Sequence, residues 1–171
     1  MKQFKREFKT TLIILYGAAG TGKTATAIKF ASTFGGYFLQ PNDGKSMWWN
    51  GYDPIKHPTV ILDEFTGSKM PLTFLNQLAD AYDLRVQTKG GFLPFTASRI
   101  IITSNFHPSK WYDFENKDKN LCYEALERRI DTLVQFRVDI HIDEPSKPTI
   151  KKLHAEVEKG GFNRGWIVSP S

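Results

Sequence analysis

Eight consecutive residues, Gly17, Ala18, Ala19, Gly20, Thr21, Gly22, Lys23 and Thr24, have the types and spacing of a phosphate cradle. Glycines at 17, 20 and 22 let the backbone close around an anion without Cβ clashes. The exposed N–H groups, and the N-terminus of a helix that follows, offer partial positive charge. Lys23 would neutralise the β- and γ-phosphates of a nucleoside triphosphate, and the Thr24 hydroxyl would ligate Mg²⁺. The alternative, a glycine-rich turn with an incidental lysine, leaves unexplained both the full match and its place between an apolar run and a helical pattern.

A triphosphate site of this kind needs an acid for the metal. Val60 to Phe65 reads VILDEF, with two carboxylates at the exit of an apolar run. Asp63 would accept from metal-bound water. Glu64 would orient and polarise the attacking water, which is the work of a hydrolase rather than a kinase. By themselves the two acids read better as the polar end of a strand or a helix cap, and the phosphate cradle turns the reading toward the metal. IIITSN over 100–105 repeats the pattern, and Asn105 would hydrogen-bond both the γ-phosphate and the water, although Ser104-Asn105 also suits a turn. ALERRI over 125–130 offers Arg128 and Arg129. One of the two would stabilise charge on the transferring phosphoryl group of a neighbouring subunit. Cations at a helix C-terminus are also favoured by its dipole, and the sequence does not choose between the two arginines. Lys89, in VQTKGGFLPF, would sit at a hairpin tip and grip a phosphate of a passing nucleic-acid strand, or be a solvated turn lysine. Trp48 and Trp49 would stack on bases or belong to a core. The four histidines and Cys122 show no metal-ligand spacing.

These groups need strands that deliver them to one edge. TLIILY over 11–16, Thr59 to Leu62, and Ile100 to Thr103 are continuous apolar runs rich in branched side chains, which suits strands buried on both faces of a parallel sheet. Helices are expected over 23–33, stopped by Gly35-Gly36, over 71–82, with Leu72, Leu75, Ala79 and Tyr82 at helical spacing, and over 117–130. Tyr37 to Leu39 and Thr132 to Asp139 read as further strands. Leu84 to Thr88 is expected to pair with Phe92 to Thr96 across Lys89-Gly90-Gly91. A short helix is expected over 149–159. Strands alternating with helices predict an α/β domain with a largely parallel sheet.

Length and composition agree. The 171 residues, 40% hydrophobic and 24% charged, suffice for one domain with a real core. One cysteine cannot form an internal disulfide, so a disulfide scaffold is excluded. No run approaches the ~20 apolar residues of a membrane span, and the basic start with its short apolar run ends in the glycine loop, not a cleavage site. The net charge of +5 permits an anionic partner without requiring one.

Taken in order, GAAGTGKT, WWNGY, VILDEF, VQTKGGFLPF, IIITSN with HPSKWY, and ALERRI resemble the superfamily 3 helicases. Within these the set is most similar to the helicase domain of the replication-initiator (Rep) proteins of small circular single-stranded DNA viruses, circoviruses in particular. The resemblance covers about residues 11–137. It implies an AAA+-like P-loop NTPase core of α/β class with a β-hairpin insertion, assembling as a ring, commonly a hexamer. It further implies ATP and Mg²⁺ as cofactors, ATP hydrolysis at subunit interfaces, translocation on single-stranded DNA, and residence in a host nucleus. By motif, Gly17 to Thr24 would be the Walker A loop, Asp63 and Glu64 the Walker B pair, Lys89 part of the DNA-contacting hairpin, Asn105 the sensor, and Arg128 or Arg129 the arginine finger. The expected division is 1–10 as linker or residual oligomerisation segment, 11–139 as the helicase/ATPase domain, and 140–171 as a C-terminal tail. The endonuclease domain that family members carry has no counterpart here, so DNA nicking is not expected. A P-loop nucleotide kinase is disfavoured by the acid pair, the downstream asparagine and the lack of a lid segment. A nucleotide-gated DNA-binding or packaging module with little turnover is the other rival.

Overall fold

A computed structural model describes residues 5–40, 49–141 and 150–169. Among these, six strands form one sheet in the order β2-β3-β6-β1-β7-β8. The strands are β1 (Thr11–Gly17), β2 (Tyr37–Gln40), β3 (Thr59–Leu62), β6 (Arg99–Ser104), β7 (Thr132–His141) and β8 (Ile150–Lys159). The first five in that order are parallel, and β8 closes the edge antiparallel to β7. A separate two-stranded hairpin joins β4 (Arg85–Thr88) to β5 (Gly91–Pro94). The helices are α1 (Lys23–Ser32), α2 (Leu72–Leu78) and α3 (Tyr123–Glu127).

The continuous apolar runs have a simple cause: alternate residues of each central strand bury on opposite faces. Leu12, Ile14, Val60, Leu62, Ile100 and Ile102 face α2 and the base of the hairpin. Ile13, Leu15, Ile61 and Ile101 face Ala27, Phe30 and Ala31 of α1. Full burial of each such side chain contributes roughly 1.5–3 kcal/mol, which fixes the sheet that the functional loops leave. The α/β class, the parallel sheet and the hairpin insertion are those expected from sequence.

Several local expectations are corrected. The helix over 71–82 ends at Leu78, with Ala79 closing it, and Tyr82 is 77% exposed. Its terminal carbonyls turn to Arg6, whose guanidinium donates to Gln77 O at 2.8 Å, to Leu78 O at 2.6 Å and to Tyr82 O at 2.6 Å. Arg6 is only 4% exposed, and burial lowers its pKa, an effect that Asp80 and Asp83 oppose. The hairpin turn is Lys89-Gly90, one residue shorter than expected, so Thr88 faces Gly91 and Gln87 faces Phe92. The same register runs on past the strands, where Phe95 donates its N–H to Leu84 O at 2.8 Å. The helix over 117–130 shrinks to a 3₁₀ turn (Lys117–Lys119) and α3, because Asn120 adopts a left-handed φ of 49° between them.

The segment 149–159 is strand from residue 150, not helix. Its Lys, Leu, Ala and Glu are good helix formers, but Leu153 and Ala155 alternate with Lys152, His154 and Glu156 at the strand period. Packing on the sheet decides for the strand. Trp49 is 1% exposed and stacks with Phe38 in the core, which removes it from any base-stacking role. Trp48 lies outside the described residues, as do 1–4 of the lead-in and 41–47 of the turn-rich stretch.

Candidate functional site

The carboxyl ends of β1, β3 and β6 lie side by side, since Thr11 to Tyr16 pair with Arg99 to Ser104, and Thr59 to Leu62 with Arg99 to Ile102. Ligands of open α/β sheets gather at such ends. Here a cleft of about 320 Å³ is lined by the loop from Ala19 to Ala25 together with Glu64, Thr103, Ser104 and Asn105.

The loop geometry follows from its glycines at two positions. Gly17 has φ 144°, and a Cβ there would lie 2.0 Å from Phe136 O of the neighbouring strand. Only glycine lets β1 pass that close to β7 and still turn into the loop. Gly20 has φ 74° and no atom within 4 Å of a built Cβ, so the curve of the loop is open there to an anion. Lys23, 7% exposed, folds back over this curve and donates to Gly17 O at 2.9 Å and Ala18 O at 2.7 Å. Burial pulls its ammonium below the ordinary lysine value, and the nearby Asp63 and Glu64 charges counter that pull. A phosphate arriving in the loop would exchange two carbonyl partners for an anionic one, a stronger partner for an ammonium.

Asp63 sits one residue past β3, level with Thr103 on β6. Its Oδ1 accepts from the Thr24 hydroxyl at 2.7 Å and from the Thr103 hydroxyl at 2.6 Å. This joins the loop to both strand ends through one carboxylate. Two hard oxygens, the Thr24 hydroxyl and the Asp63 carboxylate, are thus already adjacent, a donor set that fits Mg²⁺, which takes one or two protein oxygens and completes its shell with phosphate and water. Glu64 has φ 49°, a left-handed conformation that costs a non-glycine residue about 1–3 kcal/mol. Thr103 compensates: its hydroxyl accepts from Glu64 N–H at 2.9 Å and its carbonyl from Phe65 N–H at 2.7 Å. The strained turn presents Glu64 to the cleft.

Asn105 lines the same cleft from the exit of β6. The exit of β6 is fixed by Ser104, whose hydroxyl donates to Phe65 O at 2.8 Å, and by Trp111, whose indole N–H donates to Ser104 Oγ and to Phe106 O, both at 3.0 Å. Sequence reading missed Thr103 and Trp111. The signal for Thr103 was positional, since adjacent parallel strands of equal register put the residue before Ser104-Asn105 beside Asp63. Trp111 carried no local signal beyond its place in HPSKWY.

The fold thus brings Gly17 to Thr24, Asp63, Glu64 and Asn105 together. It does not bring Lys89, Arg128 or Arg129 into the cleft lining. Lys89 is exposed at the hairpin tip, with its backbone N–H on Asn50 Oδ1 at 2.8 Å. Arg128 is exposed just past α3. Arg129 is held within its own chain, by Asp80 at 3.1 Å and Ala125 O at 2.6 Å. The Ala81 N–H and the Arg129 guanidinium hold the Asp80 carboxyl below the usual carboxylate value.

Comparison with known proteins shows the family of the chain. A family model described as RNA helicase matches residues 13–106. The replication-associated protein of Porcine circovirus 2 is 39% identical over 136 residues, covering 80% of this chain and 40% of that protein. That of Pigeon circovirus is 36% identical over 143 residues, 84% of this chain and 41% of that protein. That of Human associated cyclovirus 1 is 32% identical over 129 residues, 73% of this chain and 44% of that protein. The chain therefore spans about two fifths of the length of these relatives. No helix among the described residues is long and apolar enough to cross a membrane.

Proposed function

Because the chain belongs to the family described as RNA helicase, the superfamily 3 helicase domain of the Rep proteins of circular single-stranded DNA viruses, we propose that it is the ATP-driven motor of a viral replication initiator. The reading is that it hydrolyses Mg-ATP between the subunits of a ring, commonly a hexamer, and moves along single-stranded DNA in the host nucleus. The observation that carries the ATPase assignment is the carboxylate of Asp63 shared by Thr24 and Thr103, which sets a phosphate loop, an acid pair and an asparagine around one cleft.

Each residue then has a physical task. The loop amides and Lys23 bind the β- and γ-phosphates in a partly desolvated setting, where a charge contact is stronger than in water. Thr24 and Asp63 would hold Mg²⁺, which when bound neutralises charge on the phosphate oxygens. Glu64 accepts a hydrogen bond from the attacking water and orients it toward the γ-phosphorus. Asn105, at the end of the neighbouring strand β6, fixes that water as well. Charge building on the γ-phosphoryl oxygens is stabilised by an arginine from the next subunit. Arg128 suits this better than Arg129: it is exposed, whereas Arg129 is occupied by Asp80 and Ala125. Lys89, carried on a hairpin outside the cleft, would contact a DNA phosphate.

Phosphate release with and without single-stranded DNA, together with the size of the assembly with and without ATP, tests the reading. Turnover that DNA stimulates, in a nucleotide-dependent oligomer, is expected. Absence of both binding and turnover of ATP would overturn it.

A further inference from the structure

The β7–β8 ladder slips at one end. Val134 faces Val157, but Leu133 faces Lys159, so Glu158 has no residue opposite it. A bulge of this kind bends a strand. Strand alternation puts Glu158 on the face of the sheet that Tyr16 shares with Gln135 and Glu156, and its carboxylate accepts a hydrogen bond from the Tyr16 hydroxyl and stands 3.7 Å from His107 Nε2. Both partners adjoin segments of the site in sequence. Tyr16 immediately precedes Gly17 of the phosphate loop, and His107 lies two residues past Asn105.

The imidazole is oriented by its other nitrogen. His107 Nδ1 accepts the Ser109 N–H at 3.1 Å, capping the short turn Pro108–Lys110. With Nδ1 an acceptor, the neutral ring carries its proton on Nε2, the atom that faces Glu158. The ring also meets Tyr16 edge-on, 5.0 Å between centroids at 89°. Burial, and then the bond to Glu158, raise the Tyr16 pKa, so its hydroxyl stays a donor. The next residue of β8, Lys159, donates to Glu127 O at 2.9 Å, which ties the same strand end to α3.

We propose that Glu158 is a positioning residue of the nucleotide site: by joining Tyr16, at the entrance to the phosphate loop, to His107, on the segment that carries Asn105, it sets Asn105 for its task on the attacking water. The assignment rests on the ATPase reading given above. It predicts a defined kinetic signature, because misplacing a group that aligns water impairs the chemical step more than the holding of ATP.

The test combines steady-state turnover with backbone hydrogen exchange. Glu158→Ala should lower kcat about tenfold and leave the KM for ATP within about twofold. His107→Asn keeps an oxygen that accepts the Ser109 N–H but does not reach Glu158, so it should show the same loss. The double variant should lose no more than either single one, as expected when two changes break one link. Glu158→Gln retains an acceptor for Tyr16 while opposing an amide N–H to the His107 N–H, and should fall between wild type and Glu158→Ala. Amide exchange at Phe106 and Ser109 without nucleotide should quicken in Glu158→Ala while the thermal midpoint stays near wild type. Wild-type kcat in folded Glu158→Ala, or full additivity in the double variant, would overturn the assignment. If the wild-type protein released no phosphate, the ATPase reading would fail, and unchanged exchange at Phe106 and Ser109 would separately show that Glu158 does not position the segment.

Discussion

In the cleft, one carboxylate oxygen of Asp63 takes two hydroxyl donors, Lys23 is almost wholly enclosed, and a strained Glu64 is held by both polar groups of Thr103. At the hairpin tip Lys89 is exposed, and Asn50 secures the backbone there through Lys89 N–H. The difference matches the two tasks proposed for them. In-line attack on phosphorus tolerates little displacement, and the groups proposed for it are fixed side chain by side chain. A charge that meets a flexible polyanion needs reach and solvation more than a fixed rotamer. The hairpin is anchored away from the cleft: Arg6 gathers the end of α2 and lies 5.4 Å from the Phe95 ring at the base of the hairpin.

The largest effect should come from the cleft. Lys23→Ala removes the one ammonium folded over the loop and should lower ATP turnover about 10²–10³-fold, a magnitude typical of losing a preorganised electrostatic group. Phosphate release at saturating ATP measures it. Turnover within a few-fold of wild type would mean that the phosphates are held elsewhere and that the contrast with Lys89 is unfounded.

Arg6→Ala probes how the base of the hairpin is held to α2. It leaves the carbonyls of Gln77, Leu78 and Tyr82 without their cationic donor. A loss of about 2–3 kcal/mol in unfolding free energy is expected, since hydrogen bonds to charged groups are each stronger than neutral ones and several go together. Urea denaturation measures it. A change below about 0.5 kcal/mol, the range of ordinary surface substitutions, would show the network to be incidental.

The same contrast explains what could be read from sequence. The phosphate loop, the acid pair and Asn105 were legible because the chemistry dictates residue types at short spacing and the strands that deliver them are continuous apolar runs. Arg6 was read as part of a polar lead-in, because its acceptors lie more than 70 residues away. The bulged end of β8 was hidden twice. Its residues are good helix formers, and the slip beside Glu158 arises only in the ladder with β7. The one-residue error at the hairpin had a similar origin: three residues around Gly90-Gly91 suit a turn, and the two-residue form is the one that lets the ladder run on to the Phe95 N–H and Leu84 O.

Thr103→Val should have a smaller effect than Lys23→Ala and tests whether the fixed geometry itself matters. The swap keeps shape but removes the hydroxyl that donates to Asp63 and accepts from Glu64 N–H. Turnover should fall about tenfold, because a buried N–H loses its acceptor and the strained Glu64 turn relaxes. Thr103→Ser should restore most of it. Equal activity of Val and Ser variants would mean that Asp63 and Glu64 are placed without Thr103.

The smallest effect belongs to Lys89→Ala and is read on DNA rather than on ATP. One exposed ammonium contributes about 1 kcal/mol to a phosphate contact, so the affinity for single-stranded DNA should fall about fivefold at low salt. If the lysine meets a phosphate, one fewer counterion is released on binding, and the slope of log K against log salt should shrink by about 0.7. Binding titrations at several salt concentrations measure both quantities. A lower affinity with an unchanged slope would mean that the substitution acts through the shape of the turn that Asn50 holds. Asn50→Ala, which removes the oxygen bound to Lys89 N–H but keeps the charge, makes the distinction: it should leave the slope at the wild-type value.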